Sequence, residues 1–359
     1  MFIIDAHLDL AMNAMEWNRD LKLSVGEIRE REAGLTDKPD RGKNMVSLPA
    51  LREGKIGLVV ATQIARYVRK GSPLPGWHSP EQAWAQTQAQ FAWYKAMTEE
   101  GEMVQIKDLS SLEAHMERWR NDSVPVQKKP VGFILSLEGA DSLVNLSYLE
   151  KAYAYGLRAL GPAHYGEGRY AGGTGTTEGF SAEGKKLLKE MESLNIILDV
   201  THLTDKGFLE AMDLFHGNIW ASHHNCRALV NNQRQLTDEQ IKILIERGAV
   251  IGGVMDAWML TDGWIRGVSL PKATGTDLNR LIDHYDHICQ IAGNCDHVAI
   301  GSDLDGMFGT EQSPYDMNTI SDLQKLPGLL KVRGFKEADV EKLMWGNWLG
   351  FLQKAWRNG

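Results

Sequence analysis

The chain has 359 residues, 43% hydrophobic and 24% charged, which supplies a sizeable core and excludes global disorder. Its formal net charge is -8, from 39 basic against 47 acidic residues with no long basic run, so neither nucleic acid nor an anionic membrane is an expected partner. No stretch of some eighteen apolar residues and no signal-like start occurs, and Cys226, Cys289 and Cys295 cannot all pair; a cytoplasmic protein with reduced thiols is expected.

Short apolar runs alternate with helical patterns along the chain. The first run, Met1–Ala6, leads into Asp5-Ala6-His7-Leu8-Asp9, where His7 and Asp9 stand two apart on an extended segment and project the same way. Residues 11–55 are polar and rich in Gly, Arg and Glu, and read as an insertion before the second strand, Ile56–Ile64. Ser79-Pro80-Glu81-Gln82 combines an N-cap serine, a first-turn proline and a reciprocal glutamine, predicting a helix to about Glu100. The third strand, Val131–Leu137, ends at Glu138, and the fourth, Leu157–Ala163, ends at His164. A glycine-rich second insertion, Gly166–Gly179, follows.

After Ser181, Leu187, Leu188, Met191 and Leu194 form a buried helical stripe, and the fifth strand, Ile196–Thr201, then ends at His202. The sixth, Asn218–Ser222, ends at His223. Thr237-Asp238-Glu239-Gln240 is a capping box, with Ile241, Leu244 and Ile245 as the apolar stripe behind it. Strands Ala249–Val254 and Val298–Ser302 complete the set, the last ending at Asp303, and Lys336–Trp356 closes the chain as a helical pattern. Eight strands alternating with helices, nearly continuous in apolar residues, predict a single-domain (β/α)8 TIM-type barrel over residues 1–359. No G-x-G-x-x-G or Walker A pattern supports a nucleotide-binding sheet instead.

Chemistry-bearing residues fall at the C-terminal ends of these strands, where barrels build their sites. His7 with Asp9 suits a borderline divalent cation such as zinc; Glu138 has two oxygens and can bridge two cations; His202 and His223 can fill a second position. Taken singly, each histidine reads as a satisfied strand-end residue and Glu138 as a loop carboxylate. Their joint recurrence on successive strands outweighs that reading. Asp303 is favoured over Asp305 as ligand or base because it lies nearer the strand end, whereas Asp305 beside Gly306 resembles a turn residue. His78, His115, His216, His284, His287 and His297 are expected at the surface, and His224 is expected to face away from His223. Trp17, Trp77 and Trp258 fall in loops and are expected to pack.

Asp5-Ala6-His7-Leu8-Asp9-Leu10, Ser136-Leu137-Glu138-Gly139, Asp199-Val200-Thr201-His202, Ser222-His223 and Gly301-Ser302-Asp303-Leu304-Asp305-Gly306 together resemble the renal (membrane) dipeptidase family of the amidohydrolase superfamily. The resemblance implies a dipeptidase with two zinc ions (other divalent metals being alternatives), a hydroxide bridging them, and a homodimer. By position, His7 and Asp9 would hold the first ion, Glu138 would bridge, and His202 and His223 would hold the second. His164 would polarise the substrate carbonyl, Arg234 would receive the substrate carboxylate, and Asp303 would move a proton from water to the leaving amine. The chain departs from the family pattern at Tyr165–Tyr170 and at Met255-Asp256-Ala257-Trp258, two loops expected to border the substrate. Alternatives are the same metal site acting on another small amide, lactam or ester, or a non-catalytic ligand-binding barrel.

Overall fold

A computed structural model describes residues 1–357. The eight predicted strands form β1 (Ile3–Leu8), β2 (Ile56–Ile64), β4 (Val131–Glu138), β5 (Leu157–Gly161), β6 (Ile197–Asp199), β7 (Ile219–Trp220), β8 (Ile251–Gly253) and β9 (Val298–Ile300). A short ninth strand, β3 (Met103–Gln105), was not expected; it pairs with the start of β4. The parallel order is β1-β2-β4-β5-β6-β7, with β8 paired to β9. Hydrogen bonds from Ala221 N to Val250 O (3.1 Å) and from Gly252 N to Ala221 O (2.8 Å) join β7 to β8. Asp303 N donates to His7 O at 3.2 Å, bringing the end of β9 back against β1. The fold is a single-domain, TIM-type α/β barrel.

Apolar runs form these strands because both faces are covered: every residue of β2 and of β4 is buried. One face of the strands supplies Ile4, Ala6, Leu58, Val60, Ile134, Ile197 and Trp220 to a single interior cluster. The C-terminal helix, Asn347–Arg357, adds Trp348, Phe351 and Leu352 to the same cluster and plugs the end of the barrel opposite the site. Its Trp348 Nε1 donates to Ile300 O at 2.8 Å. The predicted closing helix is thus real but divided: Glu337–Glu341, a π turn at Lys342–Gly346, then Asn347–Arg357. Ser79, Ser181 and Thr237 cap their helices as expected, accepting from Gln82 N, Gly184 N and Gln240 N.

Residues 11–55 carry the helices Val25–Arg31 and Leu48–Glu53, organised around a buried ion network. Arg19 Nε lies 2.9 Å from Glu32 Oε1, and its Nη2 lies 2.9 Å from Asp40 Oδ2. Trp17 is buried beside it, donating to Asp40 Oδ1 at 2.8 Å.

Closure of the ring depends on close backbone approach. A Cβ on Gly252 or Gly301 would fall 1.9 or 1.8 Å from Ser222 O, so only glycine fits where β7, β8 and β9 converge. Two buried aspartates lock neighbouring strand ends. Asp5 accepts from Ser302 N (2.8 Å) and Ser302 Oγ (2.5 Å), while Asp199 accepts from Thr201 N (3.0 Å) and Ser222 N (3.1 Å). Asp5→Ala strands several buried donors and should cost about 2–4 kcal/mol, against about 1 kcal/mol for Ser302→Ala. Denaturant midpoints read both, and an Asp5→Ala loss no larger than that of Ser302→Ala would contradict the closing role.

Candidate metal centre and substrate cleft

Strand geometry aims the site residues inwards. Between Asp5 and Leu8, β1 advances three residues while its partner β2 advances two, from Val59 to Ala61; this irregularity falls on the Ala6-His7 pair. Glu138 continues the inward row of Ile134 and Ser136 on β4. His202 (φ 69°) and Asp303 (φ 57°) adopt left-handed backbone conformations that cost a non-glycine residue of order 1 kcal/mol. Such strain at two strand ends, both on site residues, marks a place where side-chain direction outweighs backbone preference.

The structure brings all eight singled-out residues together. Glu138 Oε1 stands 3.2 Å from His202 Nε2, 3.6 Å from His7 Nε2, 3.6 Å from His223 Nε2 and 3.9 Å from His164 Nε2. His7 Nε2 is also 3.8 Å from Asp9 Oδ1 and 3.7 Å from Asp303 Oδ1. Two ligands held at 2.0–2.2 Å on one tetrahedral ion lie about 3.3–3.6 Å apart, so the 3.6 Å spacings from Glu138 Oε1 to His7 and His223 match donor atoms sharing a cation and are too long for hydrogen bonds. His7 Nε2 is buried with no hydrogen-bond partner among the described residues. His7, Asp9 and Glu138 form one possible ligand group; Glu138, His164 and His202 form another, and His7, His223 and Asp303 a third. The chemistry of the set, imidazoles with carboxylates, fits borderline divalent metals.

Hydroxyls prepare the ligand atoms. Thr174 Oγ1 lies 2.9 Å from His202 Nδ1, and Ser222 Oγ lies 2.9 Å from His223 Nδ1. Each hydroxyl can accept from Nδ1–H and so leave an Nε2 lone pair facing the centre. Thr62 Oγ1 donates to Asp9 Oδ1. None of these three hydroxyls is marked by the sequence reading; each follows from strand pairing or loop folding.

Charge is crowded here. Burial works against a protonated His7, but Glu138, Asp9 and Asp303 outweigh it and raise its pKa to about 10. Burial, reinforced by Glu138, pushes Asp9 up to about 7, and burial beside Asp9 and Glu138 holds Asp303 well above the usual carboxylate range. Burial and Arg234 keep His202 neutral, while burial and His7 do the same for His223. For His164, burial with Arg66 and Arg234 lowers the pKa to about 4, despite Glu138.

His164 and Asp303 keep 12% and 17% of their side chains exposed, whereas the remaining members are buried more deeply. Both face a narrow cavity of about 70 Å³ that Tyr165, Asp256, Trp258, Arg266 and Met307 also line. Arg234 Nη2 donates to His223 O at 3.0 Å, and its buried Nη1 has no partner among the described residues. Asp305 lies elsewhere: it accepts from Met45 N (2.7 Å) and Val46 N (2.9 Å), tying the 11–55 segment to the barrel. The cleft thus favours Asp303 over Asp305.

Other expectations need correction. His115 and His284 are buried, not superficial; His115 Nε2 lies 2.7 Å from Gly57 O, and Cys226 N donates to His284 Nδ1 at 3.1 Å. Both sit on the buried stripes of their helices, with Leu112 and Met116 and with Leu281 and Ile288, so period 3.6 was the available signal. Of the three loop tryptophans, Trp258 lines the cleft and donates to Asp256 Oδ2 at 2.6 Å. Asp256 also accepts from Gln312 (2.8 Å) and Arg266 (3.2 Å), and burial pushes its pKa up to about 6.

The chain is 30% identical over 254 residues to an uncharacterized protein from the pqqA 5′ region of Klebsiella pneumoniae, covering 68% of this chain and 87% of that one. It is 28% identical over 236 residues to dipeptidase tcpJ of Claviceps purpurea, covering 62% of this chain and 52% of the relative. Among solved structures, the fold matches dipeptidase AC, a family M19 metallopeptidase, with a TM-score of 0.77 at 24% identity over 99% of both chains. A metallopeptidase of Rhodobacter sphaeroides, liganded with a phosphinate mimic of L-Ala-D-Ala, superposes with a TM-score of 0.76 at 23% identity, again over 99% of both. No described helix is long and apolar enough to cross a membrane. Residues 1–358 match the membrane dipeptidase family profile, and the chain belongs to that family, Peptidase family M19.

Proposed function

We propose that the protein hydrolyses the amide bond of dipeptides, or of similarly small amides bearing a free carboxylate, at a binuclear zinc centre. His7 and Asp9 would hold one ion and His202 and His223 the other, with Glu138 placed to serve both. The observation that carries this reading is one carboxylate oxygen, Glu138 Oε1, lying 3.2–3.9 Å from four imidazole Nε2 atoms contributed by four different strand ends. When bound, the ions supply Lewis-acid polarisation of the amide carbonyl and lower the pKa of water.

The chain's own groups do the rest. Arg234, buried with a free Nη1, grips the substrate carboxylate and sets the register of the amide in the cleft. His164 donates from Nε2 to the carbonyl oxygen as negative charge develops there. Asp303, on the cleft wall 3.7 Å from His7 Nε2, takes a proton from the attacking water and passes it to the departing amine. Tyr165, Trp258 and Met307 narrow the cleft and limit water access.

A substrate panel separates this reading from the same site acting on other small amides, lactams or esters. Hydrolysis of dipeptides well above N-acyl amino acids and lactones supports it, and a dipeptide rate no better than that of metal-free protein rejects it. Glu138→Ala should abolish turnover and lower the metal bound per chain, read by elemental analysis; full metal content would rule out the bridge. Arg234→Ala should raise KM for carboxylate-bearing substrates by about 10–100-fold, with a smaller change in kcat. Unchanged dipeptide kinetics in that variant would place the substrate carboxylate elsewhere.

A further inference from the structure

Arg66 follows β2, on a different loop from every residue of the proposed ligand set. Its Nη1 donates to Pro75 O at 3.0 Å, and its Nη2 lies 2.8 Å from Nδ1 of His164. A guanidinium carries only donors. His164 Nδ1 must therefore accept with its lone pair, and a neutral imidazole with an accepting Nδ1 carries its proton on Nε2. That Nε2 is the ring atom turned towards Glu138 Oε1, 3.9 Å away, in the cleft.

His202 and His223 have the opposite surroundings. Their Nδ1 atoms face the hydroxyls of Thr174 and Ser222, which can accept from Nδ1–H and leave Nε2 free to coordinate. His164 Nε2 nonetheless falls in one group with Glu138 and His202 that could hold an ion. Coordination through Nε2 needs a lone pair there and hence a proton on Nδ1. Arg66 forbids that proton.

We infer that Arg66 is a positioning residue that fixes His164 in its Nε2–H tautomer, keeping the ring out of the ligand set and holding it as a hydrogen-bond donor to the substrate carbonyl. The kinetic part of this inference rests on the proposed hydrolysis; the tautomer does not. The neighbour on Nδ1 thus sorts the imidazoles of one centre: hydroxyls beside two that coordinate, a guanidinium beside the one that donates.

The test uses zinc-loaded, histidine-¹⁵N-labelled protein, with His164 assigned by the signals missing from His164→Gln. Long-range ¹H–¹⁵N correlation should place the His164 proton on Nε2 in the parent protein and lose that preference in Arg66→Met. In dipeptide hydrolysis, Arg66→Met should lower kcat by at least about tenfold with KM changed by no more than about twofold, and Arg66→Lys, which keeps a donor, should recover part of the loss. Combining Arg66→Met with His164→Gln should cost no more than His164→Gln alone. A parent proton on Nδ1, or an Nε2–H signal that persists in Arg66→Met, overturns the inference. Should Arg66→Met fail to fold, the Arg66→Lys spectrum decides: a proton retained on Nε2 supports the inference, and one moved to Nδ1 refutes it. A parent protein that shows the Nε2–H signal yet cleaves no dipeptide leaves the tautomer standing and refutes only the hydrolytic reading.

Discussion

Asp9, Glu138 and Asp303 meet within a few ångströms of one another in a pocket that removes them from water, and this crowding is the constraint around which the site is organised. Buried like charges repel strongly, and a chain without a cation to offer them can only leave some of them protonated. The consequences are visible in His7, whose pKa rises to about 10, and in Asp9, driven up to about 7. Arg234, a buried guanidinium on the wall of the same cleft, is turned to His223 O rather than to these carboxylates. What remains uncompensated is a set of lone pairs at ligand spacing, which divalent cations relieve.

Everything around that pocket serves to hold the opposing groups in place. The irregularity in β1, the left-handed backbone at His202 and Asp303, and the glycines where β7, β8 and β9 meet Ser222 O are each unfavourable or restrictive locally. The barrel compensates through burial: an interior of aliphatic side chains, closed at the far end by Trp348 and Phe351 from the C-terminal helix, gives the rim a stiff base. Asp5 and Asp199 then transmit that stiffness to the strand ends by binding the backbone of the neighbouring strand. Strain at the rim and order in the base are two parts of one arrangement.

The loops that border the cleft divide the labour. Residues 11–55 are fastened through Asp305 and through Asn13, whose amide donates to Asp9 O (3.0 Å) and Asp305 O (2.9 Å), so this segment supports the site from behind. The Gly-rich loop after His164 supplies Thr174 to His202 and places Tyr165 in the cleft. Asp256, Trp258 and Arg266 form a hydrogen-bonded wall on the other side.

The barrel was legible in the sequence because strands covered on both faces must be apolar almost throughout, and a polar residue ending such a run is conspicuous. That logic located His7, Glu138, His164, His202, His223 and Asp303 from their positions alone. It passed over β3, only three residues long, and it sent His115 and His284 to the surface although both lie on helical apolar stripes. Sequence spacing was also silent on Thr174, Ser222 and Arg66, because the bonds from Thr174 to His202 and from Arg66 to His164 cross 28 and 98 residues, and Ser222 reaches the adjacent His223 only through the turn that ends β7. One-dimensional order therefore determined which donor types arrive at the rim. Tertiary folding decided which ring nitrogen each imidazole presents and which of two aspartates, two residues apart, faces the cleft, since proton placement and side-chain direction depend on neighbours that meet only when the ring of strands closes.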